Sequence, residues 1–176
     1  LADLRIYDNS HATKPYAFRK KQLQLLKQIL LANEKEIEQA LYADLKKNAE
    51  ETYATETGLV LAEINVALKN LKRWMQPASA GTNLVNLPST SKIYRDPLGV
   101  VLIISPWNYP LQLLLIPLVG AIAGGNCVVL KPSEFSPATT ALIGKMITEN
   151  FSEEYKKVVT GDGAEVRAEE RRVGQG

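Results

Sequence analysis

The chain has 176 residues, of which 45% are hydrophobic and 23% charged, and a net charge of +2. That length buries roughly two-thirds of the unfolded surface in one core without disulfides or metal, and the composition is that of a globular protein rather than a disordered or fibrous one. The basic residues alternate with acids, which excludes the concentrated cationic face that nucleic acid requires; a single cysteine, Cys127, excludes an intrachain disulfide, and a single histidine, His11, leaves no zinc-ligand spacing.

The chain opens on Leu1-Ala2-Asp3-Leu4-Arg5, without the basic, apolar and small-residue succession of a secretory leader. With one thiol, a reducing cytoplasm is the simplest location. His11 sits in a polar stretch and reads as a solvated surface residue. From residue 17 to 47 the apolar residues Phe18, Leu23, Leu25, Leu26, Ile29, Leu30, Ile37, Leu41 and Leu45 recur at helical spacing, which predicts two amphipathic helices broken near Ala32-Asn33. A third helix is predicted from about residue 50 to 75 on a stripe of Leu59, Ile64, Leu68, Leu71 and Trp74, stopped by Pro77.

Residues 81 to 92 crowd Gly, Thr, Asn, Pro and Ser together and read as an extended connection. From Ile93 to Thr160 strand and helix alternate: Val100-Val101-Leu102-Ile103-Ile104, a helix over 111–123, Val128-Val129-Leu130, a helix over 137–151, and Lys157-Val158-Val159. Short β-branched runs without polar alternation suit strands covered on both faces, so this βαβαβ pattern predicts a parallel, doubly wound α/β sheet. The most apolar stretch, from Leu113 to Gly125, is interrupted by Pro117 and falls short of the roughly 20 residues that span a bilayer. No transmembrane segment is expected. The tail from Ala164 onward is dense in Glu and Arg and reads as solvated.

In such sheets ligands bind at the C-terminal ends of the strands. The first strand ends in Ser105-Pro106-Trp107-Asn108-Tyr109-Pro110. Two readings of Asn108 stand at this point: a side-chain amide aimed at a substrate carbonyl, stabilising developing negative charge on oxygen, or a plain cap for the next helix. The second strand ends in Lys131-Pro132-Ser133-Glu134. A carboxylate there accepts both hydroxyl protons of a ribose and repels a 2′-phosphate, which favours NAD over NADP, while Lys131 offsets that repulsion. The plain alternative is that Ser133 or Ser136 caps the following helix, Glu134 sits at its positive end and Lys131 is a solvated strand end. No Gly-x-Gly-x-x-Gly follows the first strand and no phosphate-cradling P-loop is present. Gly124-Gly125 closes a helix, and Cys127, flanked by apolar residues, reads as a buried structural thiol.

Taken together, Pro97-Leu98-Gly99-Val100-Val101 through Pro106-Trp107-Asn108-Tyr109-Pro110, then Gly120-Ala121-Ile122-Ala123-Gly124-Gly125-Asn126 and Val129-Leu130-Lys131-Pro132-Ser133-Glu134, strongly resemble the aldehyde dehydrogenase superfamily. The segment Ala43-Asp44-Leu45-Lys46-Lys47-Asn48 and the later Trp74 resemble its class 3 branch, which includes fatty and aromatic aldehyde dehydrogenases. The resemblance covers roughly residues 14 to 163 and reads as the N-terminal part of such an enzyme. It implies N-terminal helices over 1–80, an extended connecting arm over 81–96, a partial NAD-binding βαβαβ unit with a Rossmann-like sheet over 97–163, and a divergent charged tail over 164–176.

The activity implied by the resemblance is NAD(P)-dependent oxidation of an aldehyde to a carboxylic acid. A cysteine thiolate attacks the carbonyl, hydride passes to nicotinamide, and water activated by a glutamate hydrolyses the thioester. Neither of those residues is expected in this chain, which alone is expected to be inactive. Residue by residue, Asn108 resembles the oxyanion-hole amide, which favours the catalytic reading over the cap. Ile104, Ser105, Pro106 and Trp107 resemble the wall of the cofactor crevice. Lys131 and Glu134, with Ser133 between them, resemble the adenosine-ribose pair, and Gly161 and Gly163 the glycines beside the adenine. NAD is the implied cofactor, NADP the other one admitted, and no metal is implied. After Val166 the pattern departs from the family, at the place where the pyrophosphate-binding turn and helix belong.

The segment Leu84 to Arg95 resembles part of an intersubunit arm whose partner strand lies near the family's C-terminus. A homodimer is therefore implied for the intact enzyme, and an unpaired edge here would invite association. The alternative function is a noncatalytic nucleotide-binding or assembly module on the same fold. A reductase of acyl phosphates such as glutamyl phosphate shares that fold, but the Pro-Trp-Asn-Tyr-Pro string matches the aldehyde-oxidising branch more closely.

Overall fold

The helical periodicity of the first third becomes five helical segments in the structure, a computed structural model that describes residues 1–86 and 88–161. Helix α1 (Ala2–Asn9) is followed by α2 (Tyr16–Ala32) and α3 (Glu34–Leu45), with the predicted break at Asn33. Helix α1 was not legible in the sequence. Eight residues do not hold a helix alone; this one persists because Leu4 is buried and Tyr7 lies 6.0 Å, centroid to centroid, from Tyr155 of the last strand region. His11 lies exposed in the turn that follows, at positive φ.

The third predicted helix forms, but with a defect inside it. Helix α4 (Ala49–Thr52) runs into a single π-turn at Tyr53–Thr57 and then α5 (Gly58–Trp74). A Cβ at residue 58 would stand 2.6 Å from the Tyr53 carbonyl oxygen, so glycine accommodates the bulge. The buried stripe of α5 is Val60, Ile64, Ala67 and Leu71, whereas Leu59 and Trp74, expected in the core, are exposed.

Strands β1 (Ala78–Ala80) and β2 (Ser91–Ile93) pair antiparallel around a 3-10 turn at Leu84–Asn86. The expected connecting arm is thus a short hairpin, and one edge of β2 is paired within the chain. The alternating region forms β3 (Val100–Ile104), α6 (Gln112–Gly124), β4 (Cys127–Lys131), α7 (Pro137–Asn150) and β5 (Lys156–Val158), each within two residues of its predicted bounds. Helix α6 ends at Gly125 with φ 83°, where a Cβ would meet the Arg19 guanidinium at 2.6 Å.

The three strands are parallel in the order β3-β4-β5. Because that order follows the chain, two right-handed crossovers place α6 and α7 on the same face. Helices α2 and α5 pack on α6, and α3 packs on α7. The sheet is therefore helix-covered on the face of Ile103, Val128 and Leu130, all buried. On the other face Leu102 is 39% and Ile104 54% exposed. The expectation that both faces of every strand are covered holds for β4, buried throughout, but not for β3. Among the described residues no helix is long and apolar enough to cross a membrane.

Candidate functional site

Parallel strands bring all their C-terminal ends to one edge, and the predicted site residues collect there because of it. Ile104 stands beside Lys131 in the β3–β4 register, and the Ser105 N–H donates to the Lys131 carbonyl at 3.1 Å, which extends the ladder one step past the strand. The two strand-end loops are then joined by the Ser136 hydroxyl, which donates to the Trp107 carbonyl at 3.3 Å.

Lys131 is buried rather than solvated, and its ammonium donates to the Glu134 carboxylate, whose side chain remains 39% exposed. A cation held in the floor and a carboxylate at the rim set a donor and an acceptor side by side, which suits a vicinal diol. Ser133 is buried, and its oxygen accepts from the Phe135 N–H at 3.3 Å. Ile104, Pro106, Trp107 and Phe135 leave an exposed apolar rim around the pair. The Ser105 hydroxyl is buried with no hydrogen-bond partner among the described residues. Gly161 follows β5 at the same edge with φ 148°, and Gly163 and the tail lie outside the described residues.

The capping alternatives fail on geometry. Neither Ser133 nor Ser136 caps α7: its Ala138 and Thr139 N–H groups donate to the Asp44 carboxylate, at 3.1 and 2.7 Å, reaching over from α3. Asn108 does not cap α6 either. The Leu111 and Gln112 N–H groups donate to the Glu56 carboxylate at 3.1 and 2.9 Å, and the Asn108 side chain, exposed, makes no hydrogen bond among the described residues. Its amide is left free beside the crevice.

Sequence reasoning missed Glu56, Lys47 and Asp44. The Lys47 ammonium bonds the other Glu56 oxygen at 2.6 Å, with both side chains buried, donates to the Asn108 carbonyl at 3.3 Å and lies 4.0 Å from the Tyr109 ring centroid. A signal existed: Glu56 precedes Val60 and Ile64 at four-residue spacing, a charge on the buried stripe of a helix. Cys127 opens β4 in full burial, which pushes its thiol up to about 11, assisted by Asp8 and opposed by Lys156. That is the opposite of the activation a nucleophilic thiolate needs. Among the described residues no cluster suits a metal.

Known proteins share this arrangement of elements. A profile of the aldehyde dehydrogenase family matches residues 7–169. The chain is 43% identical over 159 residues to 4,4'-diaponeurosporen-aldehyde dehydrogenase of Staphylococcus aureus, covering 90% of this chain and 35% of that protein. It is 43% identical over 161 residues to aldehyde dehydrogenase family 3 member B1 of Rattus norvegicus, covering 92% and 34%. The solved substrate-bound Staphylococcus aureus AldH superposes with a TM-score of 0.93 at 42% identity, over 95% of this chain and 36% of that one. The chain thus spans about a third of the length of these relatives. Strand order, strand-end motifs and the family profile agree, and the chain belongs to the aldehyde dehydrogenase family, with family 3 members among its relatives.

Proposed function

We propose that this chain is the N-terminal portion of an NAD(P)-dependent aldehyde dehydrogenase that oxidises an aldehyde to a carboxylic acid, and that it contributes the ribose cradle and the oxyanion amide of that enzyme. The observation that carries the reading is the free side-chain amide of Asn108 at the end of β3, relieved of capping by Glu56. The residues fit a dinucleotide at one end: Lys131 and Glu134 offer a donor and an acceptor to the adenosine ribose, with Ser133 between them, and Ile104 to Trp107 form the crevice wall. The cofactor, when bound, accepts the hydride.

In this reading Asn108 donates to the carbonyl oxygen as negative charge builds on it, and such a donor is worth about 100- to 1000-fold in kcat. Gly161 and Gly163 flank the adenine. The nucleophilic cysteine and the general-base glutamate are assigned to sequence beyond this chain, because Cys127 is a buried structural thiol. A homodimer and a cytoplasmic location complete the proposal. The first is supported by Leu84, Val85, Ile93 and Tyr94, all exposed on the hairpin region, and the second by the single reduced thiol.

Calorimetric titration of the purified chain with NAD, NADP and ADP-ribose tests the cradle. The expected result is weak binding, tighter for NAD than for NADP because Glu134 repels a 2′-phosphate, and lost in Glu134→Ala. If none of the three binds, the ribose motif is a relic and a noncatalytic assembly module is the better reading. Incubation with NAD and aldehydes should give no NADH absorbance. Turnover abolished by Cys127→Ala would overturn the assignment of the nucleophile.

A further inference from the structure

We infer that Lys47 and Glu56 are positioning residues: their buried ion pair takes over the capping of α6 and pins the 108–112 turn, so that the Asn108 amide faces the crevice unoccupied. The inference rests on the role of Asn108 proposed above and names what holds that residue in place.

A helix N-terminus leaves N–H groups in need of acceptors, and an Asn in the preceding turn is among the best local acceptors available. Here the acceptor is brought instead from a different helix, 55 positions earlier in the chain. One Glu56 oxygen takes the Leu111 and Gln112 N–H groups; the other takes the Lys47 ammonium, which donates in turn to the Asn108 carbonyl and stacks on the Tyr109 ring. A single pair therefore fixes residues 108, 109, 111 and 112.

Burying two charges strips both of hydration before their attraction offsets the loss, whereas a local cap would need no such arrangement. The pair is thus better explained by the orientation it imposes than by stability. Two local features deliver it. Lys46 ends α3 in the left-handed conformation, φ 57°, and turns the next residue inward. The π-turn at Tyr53–Thr57 adds one residue to the helical register just where Glu56 must point at α6. Such bulges concentrate at functional sites.

The test uses the full chain labelled with 15N, reading the Asn108 side-chain NH2 resonances, which are assigned by their disappearance in Asn108→Asp. Lys47→Met and Glu56→Gln are expected to shift or exchange-broaden this pair of signals at temperatures well below unfolding, and Lys47→Arg to return them to the wild-type position. Asn108 signals that overlay the wild type in both variants, while the unfolding midpoints fall, would reduce the pair to a stability element and sink the inference. If the two buried variants do not fold, Tyr109→Leu removes the half-exposed ring beneath the ammonium, and the same outcomes apply: a moved or broadened signal supports the clamp, an unchanged one overturns it. Failure of the underlying reading appears elsewhere, as a chain that binds none of NAD, NADP and ADP-ribose.

Discussion

Lys156 shows how far a residue's behaviour departs from its type once packed. It opens β5, one position before the strand that the sequence predicts, and is 1% exposed, with its side-chain nitrogen 3.9 Å from the Phe151 ring centroid, 3.4 Å from that of Tyr155, and without a hydrogen-bond partner among the described residues. Two forces oppose each other. Cation–π attraction is worth about 2 kcal/mol when desolvated, and the loss of hydration costs several kcal/mol. Desolvation wins, so the amine's pKa falls well below the ordinary lysine value, with Cys127 only partly opposing the shift. An unsatisfied buried polar group costs about 1–3 kcal/mol. Lys156→Met, which keeps the unbranched apolar stem and removes the terminal amine, should therefore raise stability by about that amount in urea unfolding at neutral pH; a lower midpoint would contradict this account.

Among the elements, the two crossover helices share one device. Each is capped by a carboxylate from the N-terminal helical layer: α6 by Glu56, α7 by Asp44. The carboxylates also suit the positive ends of the helix dipoles. Docking and capping are thus one event, and the helical layer is coupled to the sheet by hydrogen bonds as well as by apolar packing. Asp44→Ala should cost about 1–2 kcal/mol, the upper range for a lost cap. Ser136→Ala should cost less, since its hydroxyl makes a bond to Trp107 and none to the helix. Urea unfolding of the two variants side by side checks the ranking, and the reverse order would restore the local cap. Neither carboxylate was legible as a cap, because the capping rule reads the few residues before a helix and these acceptors come from 55 and 94 positions upstream.

For the whole molecule, the buried ionisable groups set how stability changes with pH. Lys156 has a lowered pKa, so the unfolded chain binds its proton more readily, and stability rises with pH up to the ordinary lysine value of 10.5. Cys127, raised to about 11, and Tyr7 and Tyr155, also raised by burial, do the reverse. Each favours the folded state fully below its unfolded pKa and loses that contribution as pH climbs through the folded value. Unfolding free energy should rise toward about pH 9, level off while Cys127 offsets Lys156, and fall above about pH 10 as the tyrosines add to Cys127. Lys156→Met should remove the rising limb and Cys127→Ala should flatten the fall; denaturant titrations across that range test both, and a flat profile for the wild type would refute the scheme. By itself the sequence determined the order of strand and helix from β3 to β5, the parallel α/β class, the break at Asn33, the glycine stop at Gly125 and the two strand-end motifs, because apolar spacing, turn chemistry and crossover handedness act over a few residues. Only the tertiary structure decided that α1 forms, that the helix of residues 49–74 carries a π-turn, that Lys131 is buried against Glu134, and that Asn108 is free while Glu56 caps in its place. Those outcomes depend on which groups distant in sequence reach one another and on the cost of leaving a buried charge or an orphan N–H unpaired. Local pattern can flag a charge on a buried stripe, as at Glu56, but not the distant partner it reaches.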